Sequence, residues 1–104
     1  EAMKALGVYR DLSPKLVRGN NIAQTYQFVE TGNAELGFVA LSQVVRRSGG
    51  SRWIVPDRLY APIAQDAVLL KRGAANPAAR AFVAFLKGPR ARAVKAKYGY
   101  GAGD

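Results

Sequence analysis

Between Lys15 and Leu41 the pattern of apolar residues changes period twice. Lys15-Leu16-Val17-Arg18 alternates like a short strand, and Gly19-Asn20-Asn21 breaks it. From Ile22 onward the apolar residues fall at Ile22, Tyr26 and Val29, with Ala23 and Phe28 beside them, which is one face of a helix. Asn20 or Asn21 is placed to cap its start, and Thr31-Gly32-Asn33 to stop it. Leu36-Gly37-Phe38-Val39-Ala40-Leu41 then runs almost unbroken in apolar residues, as expected of a strand buried on both faces of a parallel sheet. Strand, helix and strand in so short a stretch make a βαβ unit, whose crossover should be right-handed. The expected fold class is therefore α/β.

The flanking sequence supplies further elements. Glu1-Ala2-Met3-Lys4-Ala5-Leu6 reads as the end of a helix that Gly7 leaves in the left-handed conformation. No capping residue precedes it, which suggests a start inside a helix of a longer protein. Val8 to Pro14 reads as a connector in which Pro14 pushes Ser13 into an extended conformation. Ser42 is placed to cap a short helix through Gln43-Val44-Val45-Arg46-Arg47, and Ser48-Gly49-Gly50-Ser51 forms a turn. Arg52-Trp53-Ile54-Val55 reads as a strand ended by Pro56-Asp57, and Ala64 to Leu70 as an extended segment closed by Lys71-Arg72-Gly73. Asn76-Pro77 opens a helix with Ala78, Phe82, Phe85 and Leu86 on one side. A second helix follows from Pro89, with Ala91, Val94 and Tyr98 at matching spacing, and Tyr98-Gly99-Tyr100-Gly101 finishes it with a glycine as its cap.

Composition narrows the function. The 104 residues suit one small domain, and 49% apolar with 22% charged residues is an ordinary globular balance. There is no cysteine and no histidine. That excludes disulfides, thiolate metal sites, Ser-His-Asp and Cys-His catalysis, the usual zinc enzymes and any histidine pH switch. Glu30 and Glu35 flank a turn, while Asp57 and Asp66 stand alone, so no acid–base pair emerges and no catalytic residue is assigned. No apolar run approaches the roughly 20 residues of a membrane-spanning helix. The expectation is a binding protein rather than an enzyme. Sixteen Lys and Arg against seven Asp and Glu give a net charge of +9. Half of the cations lie beyond position 70, mostly between apolar residues of helical spacing, where they read as a solvated helix face. The alternative reading of that charge is a nucleic-acid-binding or dimerising interaction domain.

The first candidate site is the turn Gly19-Asn20-Asn21-Ile22. The opening amides of a helix lack partners within it and lie at the positive end of its dipole. In an open α/β sheet such a turn sits at the carboxyl ends of the strands, where ligands bind. The amides of Asn21, Ile22 or Ala23 could hold an oxyanion without a positive side chain; alternatively Asn20 or Asn21 simply caps the helix. The second candidate is Val39-Ala40-Leu41-Ser42, which should border the same crevice. There Ser42 offers a hydroxyl to a ligand, or caps the short helix.

The block from Lys15-Leu16-Val17-Arg18-Gly19-Asn20-Asn21-Ile22-Ala23-Gln24 through Gln27-Phe28-Val29-Glu30-Thr31-Gly32-Asn33-Ala34-Glu35-Leu36-Gly37-Phe38-Val39-Ala40-Leu41-Ser42-Gln43 resembles the second half of periplasmic molybdate-binding proteins. So do Ile63 to Gly73, Asn76 to Phe82, and the ending from Phe85-Leu86-Lys87-Gly88-Pro89 to Tyr98-Gly99-Tyr100-Gly101. The resemblance implies the C-terminal half of a class II periplasmic solute-binding fold. It also implies a periplasmic carrier of molybdate, and usually tungstate, for the membrane subunits of an ABC importer. Residues 1–62 would belong mainly to the second of two α/β lobes, and residues 63–104 would return to the first. Molybdenum would enter only as its oxyanion, with no metal–protein bond and no cofactor. Ile22 matches the residue whose backbone amide binds the oxyanion. Ala40 stands where some members have a tyrosine whose hydroxyl contacts the ligand; Ser42, Tyr26 or water are the candidates to replace that hydroxyl. An isolated half of such a protein is expected to expose sheet edges and apolar faces through which it could self-associate.

Overall fold

Six α-helices form among residues 1–101, the part of the chain that the computed structural model describes. They are α1 (Ala2–Ala5), α2 (Tyr9–Leu12), α3 (Ile22–Glu30), α4 (Leu41–Val44), α5 (Pro77–Leu86) and α6 (Pro89–Lys97). Single 3-10 turns stand at Ser13–Lys15, Asp57–Leu59 and Lys71–Gly73. The contacts divide the chain into two units, Glu1–Pro62 and Ile63–Asp104. Of the expected return segment 63–104, residues 102–104 lie outside the described part.

The longer helices form where local chemistry supplies their ends. Asn21 is extended, and its Oδ1 accepts the Gln24 amide at 2.9 Å at the start of α3. At the other end Gly32 takes φ 76°, its amide reaches Val29 O at 3.1 Å, and the Ala34 amide reaches Phe28 O at 2.8 Å. Asn76 Oδ1 accepts from Ala78 and Ala79 at 2.9 and 3.3 Å, and Pro77 occupies the first turn of α5, where a missing amide costs nothing. Pro89 opens α6 in the same way, and Gly99 at φ 80° closes it.

Two local readings are corrected. The Val8–Pro14 connector is helical: α2 runs into the 3-10 turn, with Ser13 at φ −51° and ψ −42°. Its amide donates to Tyr9 O, which holds it helical despite the following proline, and Pro14 sits in a first turn that tolerates it. The short helix begins at Leu41 rather than after Ser42, which therefore lies inside α4 and does not cap it. Ala40 is the N-cap residue, and the Gln43 side chain takes its amide at 3.0 Å.

The larger difference concerns the strands. None forms among the described residues, so the expected strands at Lys15–Arg18, Leu36–Leu41 and Arg52–Val55 and the sheet between them are absent there. The backbone is extended at Leu16, Ala40 and Leu70, with ψ of 125°, 136° and 150°. An extended segment becomes a strand only by exchanging hydrogen bonds with a neighbour. Among the described residues, every backbone–backbone bond outside the helices joins residues close in sequence, the widest being Ala34 to Phe28, and none reaches another extended segment.

The expected buried faces are open for the same reason. Leu36 is 90% exposed, Val68 80% and Ile63 78%, and Phe82, Phe85 and Val94 are exposed as well. The buried apolar residues are Ala2 and Ala91. The accessible surface is 9240 Å², whereas two separately compact units of this mass would expose about 6,800 Å². In the first unit α1 packs against α2, and the chain at Gly37 lies close to α3. A Cβ on Gly37 would lie 2.6 Å from Val29 Cγ2, so the run at 36–40 passes directly over that helix. Glu1 Oε2 accepts the Ala61 amide at 2.7 Å and joins the two ends of the unit. In the second unit, Lys95 Nζ donates to Leu86 O at 2.9 Å, tying α6 to the end of α5.

Because Asn76 meets two amides at once, Asn76→Ala is expected to lower stability by about 1 kcal/mol, with Asn76→Asp close to neutral. Urea unfolding followed by circular dichroism measures both.

Candidate functional site

The turn before α3 is built on close backbone approach. A Cβ on Gly19 would come 2.5 Å from Thr25 Oγ1, 2.8 Å from the Thr25 amide nitrogen and 3.0 Å from Asn21 O. Only a residue without a side chain lets the chain lie this close to the first turn of the helix. Gln24 Oε1 accepts the Asn20 amide at 2.6 Å while the Gln24 amide is taken by Asn21 Oδ1 at 2.9 Å. The Thr25 amide makes the first helical bond, to Asn21 O at 3.1 Å, and Thr25 Oγ1 reaches the same carbonyl at 3.2 Å.

This accounting leaves Ile22 and Ala23. Among the described residues their amides have no protein acceptor, and both residues are exposed, Ile22 at 49%. They open a helix of nine residues that has no acidic residue in its first turn. The positive end of the dipole is therefore not neutralised locally. The Asn21 Oδ1 is taken by the cap, which leaves its backbone amide and its Nδ2 as donors.

Ala40 lies next to this turn through one side chain. Gln43 Oε1 accepts the Ala40 amide at 3.0 Å, and Gln43 Nε2 donates to Ile22 O at 3.3 Å. The structure thus brings the Ile22 and Ala40 segments together. Ser42 occupies the second position of α4. Tyr26 points its hydroxyl elsewhere, donating to Glu30 Oε1 at 3.2 Å, with the Arg47 guanidinium 5.0 Å from its ring centre. Gln43 is the residue that reasoning from sequence missed. Its signal was a glutamine three residues beyond an extended-to-helix junction, obscured because that junction was placed at Ser42 instead of Ala40.

The cations of this unit serve other ends. Arg47 pairs with Glu30 Oε1 at 2.7 Å, and Arg52 Nη1 donates to Val44 O and, at 3.3 Å, to Arg47 O. Away from α3, Tyr60 donates to Asp57 Oδ1 at 2.9 Å. That hydrogen bond, followed by slight desolvation and the Asp57 charge, raises the phenol above its ordinary value. Among the described residues no cluster of three acidic, histidine or cysteine side chains could hold a metal ion. What the turn presents is two exposed peptide donors without protein acceptors.

Residues 1–101 match the bacterial extracellular solute-binding proteins, and the chain belongs to that family. It is 58% identical over 100 residues to the molybdate-binding protein ModA of Rhodobacter capsulatus, covering 96% of this chain and 40% of that protein. It is 56% identical over 104 residues to ModA of Azotobacter vinelandii, covering 97% of this chain and 41% of the relative. Identity to ModA of Escherichia coli K12 is 30% over 107 residues. The chain thus spans about two fifths of the length of these relatives.

Gly19→Ala must push the turn off Thr25 and is expected to destabilise by about 1–3 kcal/mol. A change at Gly49, where an added Cβ meets nothing within 4 Å, is the matched control. Thermal unfolding of the two variants separates the effects.

Proposed function

We propose that this chain binds molybdate, and tungstate as a close analogue, for delivery to the membrane subunits of an ABC importer. On this reading it is the C-terminal part of a two-lobed periplasmic carrier with the class II α/β fold. Residues 1–62 contribute to the second lobe, and residues 63–104 return to the first. The proposal draws on the molybdate-binding relatives at 58% and 56% identity and on the division of contacts after Pro62. The extended segments at 36–40 and 61–70, with their exposed apolar residues, have the character of strands that complete their pairing within a larger protein.

The observation that carries the reading is the pair of unmet amides at Ile22 and Ala23. Molybdate is a tetrahedral dianion whose oxygens accept hydrogen bonds only. Amides at a helix start provide donors and a favourable potential together, and their strength rises when water is excluded. Sulfate has the same charge and shape, so discrimination rests on the size of the cavity. No side chain bonds to molybdenum, no cofactor takes part, and no reaction is catalysed. The nucleic-acid alternative gains no support from the molybdate-binding relatives. Among the described residues no helix is long and apolar enough to cross a membrane.

In the complete carrier, molybdate at one hundred times its Kd is expected to add about 2.7 kcal/mol of stability, and sulfate at the same concentration none. Equal melting shifts with both anions would remove the specificity claim. Ile22→Pro is the sharper test. Proline suits the first position of a helix, and the preceding Asn21 is already extended at φ −153°, so α3 is retained while one donor is deleted. Loss of a hydrogen bond to a charged ligand, about 1.5–3 kcal/mol, should weaken molybdate binding roughly 10- to 150-fold in titration calorimetry. Undiminished affinity in this variant would rule out the Ile22 amide as a donor.

A further inference from the structure

We propose that Gln43 is a positioning residue for the oxyanion site, a two-ended amide strut between the Ala40 peptide and the peptide that joins Ile22 to Ala23. The inference rests on the anion site proposed above and assigns to that site a residue that does not itself touch the ligand.

The strut follows from three hydrogen bonds. The Gln43 backbone amide donates to Ala40 O at 3.0 Å, which fixes the residue at the third position of α4. Its side-chain oxygen accepts the Ala40 amide at 3.0 Å, and its side-chain nitrogen donates to Ile22 O at 3.3 Å. Both ends of one planar group are used, so the carboxamide cannot rotate without breaking a bond. A second link holds the same two segments further along, where Arg47 pairs with Glu30 at the last residue of α3 and lies over the Tyr26 ring. Between these two anchors α3 has little freedom to slide or tilt against the segment that carries Ala40.

Two consequences bear on ligand binding. First, Ile22 O belongs to the same peptide group as the Ala23 amide. A donor on that carbonyl polarises the group and strengthens Ala23 N–H toward an anion, as in any chain of hydrogen bonds. Second, the Ala40 amide is already committed to Gln43 and is not offered to the ligand. Ala40, which has no hydroxyl, therefore acts through the position of its backbone and the small volume of its methyl group. Gln43 holds the walls of the site and tunes one donor.

The test uses the complete carrier, with molybdate as the probe. Gln43→Met keeps length and helix preference but removes both hydrogen-bonding ends. Expected results are a Kd raised about tenfold, the loss lying mainly in the dissociation rate, and an apo melting temperature within about 3 °C of wild type. The Ala23 amide proton should also move upfield in the NMR spectrum of the apo protein. Gln43→Glu keeps the acceptor for Ala40 and suits the third position of a helix, so its folding is secure. It lacks the donor to Ile22, and its Ala23 proton should move in the same direction. Molybdate affinity within twofold of wild type in Gln43→Met, or an unmoved Ala23 proton in both variants, overturns the proposal and leaves Gln43 a helix cap. A wild-type carrier that fails to bind molybdate, or an Ile22→Pro variant that binds normally, instead brings down the site reading itself.

Discussion

A helix starts with four amides that have no acceptor inside it, and what each helix here does with those amides governs the rest of the structure. In α5 proline removes one donor and Asn76 takes two more, so the end is nearly closed. In α3 Asn21 takes the Gln24 amide and Gln24 reaches back to Asn20, which stiffens the turn but leaves Ile22 and Ala23 open. Gly19 makes this possible by lying against Thr25 where a methyl group would collide. The same contacts that shape the loop therefore leave open the two donors on which the proposed anion site rests. Structure and chemistry meet in the backbone, with side chains used to aim it.

Satisfied polar groups do not by themselves make a core. Short-range bonds fix helices and turns, but among the described residues the segments between them exchange no backbone hydrogen bonds with one another. Apolar residues on those segments remain in water, as do Phe82 and Phe85 on α5. At about 25 cal/mol per Å² of apolar surface, the excess exposed area is a large reservoir of unused burial energy. A chain matching two fifths of its relatives' length, with a surface this apolar, has the energetics of a part and not of a whole.

Legibility in the sequence followed the range of each interaction. The starts of α3 and α5 could be read because Asn21 and Asn76 act over two or three residues, and Gly32 and Gly99 close their helices within the same distance. The strands could be recognised only as patterns, because pairing depends on segments far away in the sequence and none is paired among the described residues. The candidate site was half legible. The turn at residues 19–22 followed from the cap and its closeness to the segment 39–42 from the expected order of elements, while Ile22 and Ala40 themselves were singled out by the family resemblance. Gln43, linking residues 21 apart, could not be inferred from local spacing once the start of α4 was set two residues late.

The charge of the chain and the candidate site act over different distances. A net charge of +9 draws an anion toward the surface, but at physiological salt its reach is limited to about 8 Å. Arg47 is paired with Glu30 and Arg52 with carbonyls at and beyond the end of α4, so on the proposed reading these two cations are not the groups that recognise the anion. A fixed lysine or arginine in the site would attract the anion whether or not the other donors were in place. Peptide dipoles hold it only within the first turn, and their effect falls off as soon as the geometry is lost. For a protein proposed to carry an anion and then give it up, a neutral site aligned by Gln43 combines tight holding with release on a small displacement.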